Sequence, residues 1–243
     1  MLLYVLLSLA GLLAALVIFL LVCGALVSNK KYYTEESRFY RNLIMVITAV
    51  IFKIGRVKLH ISGTEKLPEG KKLLFVGNHL SNFDPMVTYY AFPQWRISYI
   101  AKASIINMPL FGRYIRRCCF MDIDRENPRN AIITINRAAE LLKKQEVSIG
   151  VYPEGTRSKN GELLPFHNGV FKIAQKADAD IAVVALEGVN QIAKNFPWHK
   201  THVYVNVLEV IPANEVDPRK TELVGGRVEQ LFRNYKREEE RLI

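Results

Sequence analysis

An Asn78-His79 pair follows an apolar run at residues 73–76, and an aspartate, Asp84, stands five positions beyond the histidine. Imidazole is the side chain best suited to take a proton near neutral pH, and a neighbouring carboxylate makes it a base by fixing its tautomer. Asp84 fits that role. It also fits another: Asp followed by Pro85 reads as a helix N-cap with proline at the first helical position, opening a helix through Ala91. A carboxylate has lone pairs enough for both. Two further stretches bring cations. Arg125 follows the apolar run 118–123, and the run 147–152 leads into Pro153, Glu154, Gly155, Thr156 and Arg157. A planar guanidinium can grip a phosphate, and a glycine-containing loop can turn its N–H groups to an anion. Alone, each also reads as a surface arginine or an ordinary turn.

Chemistry needs these residues on one edge, and the pattern around them provides it. From residue 57 onward short apolar runs alternate with helix-like stretches, which implies an α/β fold with a mixed, largely parallel sheet flanked by helices. Residues 57–61 alternate like a half-buried strand, as do 202–210, whereas 73–76, 118–123, 147–152 and 181–186 are nearly continuous apolar runs suited to buried strands. Residues 128–144, 170–179 and 221–237 carry helical spacing. Parallel strands bring His79, Arg125 and the 154–157 loop to their shared carboxyl edge, where such sheets place ligands. A base beside two guanidinium groups suggests proton removal from a phosphate-bearing alcohol.

The N-terminus adds a location. Residues 2–27 hold no charged side chain and, at about 1.5 Å per residue, are long enough to cross a hydrocarbon core of roughly 30 Å. No Lys or Arg precedes the run and no small-x-small cleavage site follows it, so the reading is a retained anchor and not a signal peptide. Lys30, Lys31, Arg38 and Arg41 follow, which places the remainder on the cytoplasmic side of the cell membrane. The apolar run 43–52 is too short to span, and reads equally as an interfacial helix or a buried core helix. The expected division is an anchor over 1–28 and a juxtamembrane interfacial helix over 29–56, followed by a catalytic domain over 57–243. The net charge of +10 calls for anionic partners. Nucleic acid is not expected among them, since no stacking-aromatic or helix-turn-helix pattern accompanies the charge. The three cysteines show no pairing pattern.

The stretch NHLSNFDP resembles the NHxxxxD signature of the glycerolipid acyltransferases, and FMDIDR and YPEGTRS resemble that family's second and third blocks in order. The likeness covers roughly residues 59–188 and is nearest the bacterial 1-acyl-sn-glycerol-3-phosphate (lysophosphatidate) acyltransferases. It implies transfer of an acyl group from acyl-CoA or acyl carrier protein (acyl-ACP) to the free hydroxyl of lysophosphatidate, giving phosphatidic acid for phospholipid synthesis in the membrane. It also implies that His79 is the base and Asp84 its orienting partner. Lys102, Arg125, Glu154, Gly155, Thr156 and Arg157 would hold the glycerol phosphate, and no metal or other cofactor is implied. Another lysolipid or a non-glycerol acceptor is the alternative within the family. A Ser81/His79 lipid hydrolase is the alternative outside it, weakened by the lack of a G-x-S-x-G elbow. The fourth block departs from the family, with Val183 where a proline is common.

Overall fold

The computed structural model describes residues 1–124, 128–217 and 220–240. Two helices come first, α1 (Leu2–Ala25) and α2 (Arg38–Ile54), then β1 (Val57–Ser62), β2 (Leu74–Gly77), α3 (Asp84–Ala91), β3 (Ile97–Lys102), α4 (Ala103–Ile106) and α5 (Phe111–Arg116). The chain continues through β4 (Met121–Ile123), α6 (Pro128–Lys143), β5 (Ser148–Val151), α7 (Lys172–Ala177), β6 (Ile181–Glu187), α8 (Ile192–Asn195), β7 (Thr201–Ile211) and α9 (Thr221–Glu240).

Among the described residues the strands form one seven-stranded sheet in the order β1-β7-β6-β2-β5-β3-β4. From β6 to β4 neighbours run parallel; β7 is antiparallel to β6, and β1 is parallel to β7. The carboxyl ends of β2, β3, β4, β5 and β6 therefore share one edge, as the sequence predicts for β2, β4 and β5. One face of the sheet packs against α2, α3 and α5 through residues such as Ile44, Val87 and Ile115. The other packs against α6, α7 and α9 through Leu142, Ile173 and Val228. Strands covered on both faces need apolar side chains at every position, which is why β2 and β5 are buried throughout.

Several expectations change. The apolar run 43–52 is the middle of the longer helix α2, whose inner face carries Tyr40, Ile44, Thr48 and Phe52 into the core. Its outer face leaves Phe39, Val46, Val50 and Ile54 exposed, so the core reading holds for the inner face and an apolar row is left on the outer one. Arg41, counted above as a flanking charge, is buried and paired with Glu36. The strand expected from 118 begins only at Met121, because α5 ends in a turn where Cys119 takes a positive φ of 62°. At Val183 the β6/β7 pairing slips by one residue, a bulge where the family proline is missing. α1 is long and apolar enough to cross a membrane, and only Cys23 and Gly24 in its last turn are buried.

Candidate active site

β2 ends at Gly77, and residues 78–83 turn the chain into α3. Asn78 uses its side chain as a further ladder rung: Nδ2 donates to Leu186 O (3.0 Å) and Oδ1 accepts from Leu186 N (2.8 Å). His79 is held at both backbone groups by the loop after β5. Its N–H donates to Glu154 Oε1 (2.6 Å), and its carbonyl accepts from Ser158 N (2.8 Å).

His79 Nδ1 lies 2.7 Å from Asp84 Oδ2. The same oxygen accepts from Leu80 N (2.7 Å) and Ser81 N (2.8 Å). An ionised carboxylate can only accept, so Nδ1 carries the hydrogen and Nε2 keeps the free lone pair of a base. Burial pushes the Asp84 carboxyl up from its ordinary value, opposed by the bonds from His79, Ser81 and Leu80. The N-cap expectation needs correction. α3 begins at Asp84 with Phe83 in the cap position, and Val87 N already bonds Phe83 O, so the carboxylate turns back onto the preceding turn. Ser81 Oγ accepts from Phe83 N (3.3 Å), a contact within that turn and not one with His79.

An aromatic stack supports the imidazole. The Tyr152 ring lies parallel to His79, with centroids 4.5 Å apart and 13° between planes. Tyr99 stacks on Tyr152 in turn, 5.8 Å away, and its hydroxyl meets Thr88 Oγ1. Burial raises both tyrosines well above their ordinary range, so they stay neutral. Gly150 makes the stack possible, because a Cβ there would sit 2.2 Å from the Tyr99 ring. A parallel π face also suits a transient imidazolium. The sequence reading missed Tyr152, Tyr99 and the Asn78 clamp. The signal available was two glycines, Gly77 and Gly150, in strands otherwise filled with bulky residues.

Glu154 also departs from expectation. It is 3% exposed, with Oε2 accepting from Leu164 N (2.9 Å) and Oε1 taken by His79 N. Burial pushes its carboxyl up, opposed by those two amides. Such a carboxylate joins two loops, and its charge would repel a phosphate. Gly155 adopts a φ of 66°, the left-handed conformation that glycine takes freely. Thr156 and Arg157 are exposed beyond it. Lys102 is exposed at the end of β3, opposite Ile123 of β4. Arg125, two positions after Ile123, lies outside the described residues. On the α9 side of the edge a cavity of about 290 Å³ is bordered by Asn78, Leu80, Glu154, Phe232 and Tyr235. That is the small end of ligand pockets.

A sequence model of the family described as Acyltransferase matches residues 58–187, more than half of the chain. The chain belongs to the acyltransferase family. Among its relatives, a 1-acyl-sn-glycerol-3-phosphate acyltransferase of Cocos nucifera is 34% identical over 65% of the chain and 50% of its own length. The protein of that name in Haemophilus influenzae is 30% identical over 60% of the chain and 62% of its own length. The chain thus spans between half and two thirds of these curated relatives. The crystal structure of a 1-acyl-sn-glycerophosphate (LPA) acyltransferase from Thermotoga maritima shares the fold, with a TM-score of 0.62 at 22% identity over 90% of this chain and 87% of that one.

Proposed function

We propose that this acyltransferase transfers an acyl group from a thioester of CoA or acyl carrier protein to the free hydroxyl of 1-acyl-glycerol-3-phosphate, giving phosphatidic acid. The observation that carries the reading is the 2.7 Å bond from His79 Nδ1 to Asp84, which leaves Nε2 as a base at the carboxyl edge of the sheet. Nε2 takes the hydroxyl proton as the acceptor oxygen attacks the thioester carbonyl. The carbon–sulfur bond then breaks, and the thiolate recovers the proton from the imidazolium, which Asp84 steadies meanwhile. The reaction so drawn uses no metal or prosthetic group.

Lys102, Thr156 and Arg157, exposed at that edge, meet the acceptor phosphate together with Arg125, while Glu154 and Gly155 shape the loop that presents Arg157. A hydrolase using Ser81 gains nothing from the geometry, since that hydroxyl is engaged inside the turn. Residues 1–28 anchor the protein, residues 29–56 lay the outer row of α2 on the bilayer, and residues 57–243 work on the cytoplasmic face. The exposed apolar α1 and the apolar outer face of α2 support this arrangement.

The test offers purified protein lysophosphatidate and lysophosphatidylcholine with each donor and separates the products. Diacyl lipid from lysophosphatidate is expected, with the phosphodiester acceptor used poorly. Arg157→Ala should lower kcat/KM for lysophosphatidate about 10- to 150-fold, the worth of a charge-assisted bond, and narrow the preference. Equal use of both acceptors by the unmodified enzyme would move the reading to a broad lysolipid acyltransferase, and free fatty acid as the product would revive the hydrolase.

A further inference from the structure

We propose that the segment from the end of α8 to β7, residues 194–200, is a second membrane-contact element that seats the catalytic edge on anionic lipid headgroups. The inference rests on the reading that α1 and α2 attach the protein to a bilayer, and adds to it a contact from the far side of the catalytic domain's sequence. The loop carries two large apolar side chains into solvent: Phe196 is 41% exposed and Trp198 77%, more than any other large apolar side chain described after Leu26.

A solitary exposed tryptophan would mean little, but this one continues an apolar line. The Phe196 ring lies against Gly55 at the end of α2, where an added Cβ would fall 2.8 Å from it. Arg56 Nη1 donates to Trp198 O (3.0 Å), tying the loop to the chain as it leaves α2. The exposed row Phe39, Val46, Val50 and Ile54 therefore runs from the α1 end of α2 directly to Phe196 and Trp198.

Charge surrounds this line with one sign. Lys53, Arg56, Lys194 and Lys200 lie on or beside it, and no Asp or Glu occurs between Gly188 and Leu208. Tryptophan favours the boundary of headgroups and acyl chains, and lysines near an anionic leaflet add attraction. Topology gives the contact its purpose. β7 runs against β6, so its amino end, where the loop enters, lies at the edge from which His79 emerges. A lipid surface held there would bring an acceptor hydroxyl to the base without the acceptor leaving the bilayer.

The experiment uses the full chain reconstituted into phosphatidylcholine vesicles with and without phosphatidylglycerol, and with or without brominated acyl chains. The chain has two tryptophans, and Trp95 is buried beside Phe75 and Phe92, so wild type minus Trp198→Phe isolates the Trp198 emission. The expected result is blue-shifted emission, quenched at least about twofold by brominated lipid and more strongly in the anionic vesicles. A Phe39→Trp probe in the Trp198→Phe background reports on α2. Quenching at position 39 with a water-exposed Trp198 overturns the loop contact and leaves α1 and α2 as the anchor; no quenching at either position overturns the anchor reading as well. Lys194→Gln with Lys200→Gln should raise KM for bilayer-borne acceptor roughly tenfold and leave KM for a short-chain, water-soluble acceptor within about twofold. Equal changes for the two acceptors would overturn the proposal.

Discussion

Asp84 Oδ2 gathers three donors, one from the imidazole and two from the turn that carries it, so base and turn are set by the same atom. In Asp84→Asn an amide oxygen in the Oδ2 place can still accept from all three donors, but the side chain loses the charge that steadies the imidazolium and its NH2 falls where Oδ1 is buried without a partner, while the flipped amide sets N–H against N–H. The expected outcome is folded protein with kcat lowered about 10²- to 10⁴-fold, read by melting and single-turnover transfer; near-normal turnover would leave Asp84 a turn residue alone. Glu154→Gln makes a related test one step out. Glutamine offers a single acceptor to the two backbone N–H groups that Glu154 serves, so His79 or Leu164 loses its bond, and kcat should fall about tenfold or more. The pH dependence has a definite sign. The folded carboxyl is raised by burial, so its contribution to stability is full below the unfolded value near 4.3 and declines as pH rises through the folded value. The melting temperature of wild type should therefore lose ground to Glu154→Gln as pH rises from about 4; a gap that is flat or moves the other way would contradict a buried, raised carboxyl.

Strands β2 and β5 do more than end at the right edge, because the small residues in them set what can lie beneath the histidine. Gly150→Ala would drive a methyl into the Tyr99 ring, and that ring cannot retreat without disturbing Tyr152 and then His79. The expected cost is about 1–3 kcal/mol of stability together with a fall in kcat that exceeds any change in KM, measured by denaturation and steady-state assay. An unchanged kcat would detach the stack from catalysis. This layer was hidden in the sequence, since Tyr152 looks like any core aromatic until its neighbours are placed. The pair His79 and Asp84 was legible, because both the strand before them and the spacing between them are local. The capping role of Asp84 was misread for the same reason: Asp-Pro is a local signature, whereas the carboxylate's partners come from the turn behind it. β3 escaped notice because Ile-Ser-Tyr-Ile-Ala-Lys is neither alternating nor continuously apolar, although Ser98 and Tyr99 are both buried. The long apolar run 181–186 left no such ambiguity, and β6 lies where it pointed.

At the scale of the molecule, α1, the proposed anchor, is built into the domain and not hung from it. Side chains of the domain tie down the last turns of α1: Tyr114 donates to Leu20 O, Tyr40 to Cys23 O and Arg113 to Gly24 O. Arg113 also places a cation at the negative end of the helix dipole. The stretch before its buried turn, residues 2–22, exposed but for a half-buried Leu20, is about 31 Å long as a helix, close to the thickness of a hydrocarbon core. A spanning helix gripped at its C-terminal turn puts the domain directly on the bilayer face where Lys30, Lys31 and Arg38 emerge. Lysines and arginines that flank a span stay on the cytoplasmic side, so the domain should lie there. In sealed right-side-out vesicles it should resist added protease, and inversion or detergent should make it cleavable. Fragmentation from outside the intact vesicle would reverse the orientation, and would deny the enzyme the cytoplasmic acyl thioesters on which the proposed reaction depends.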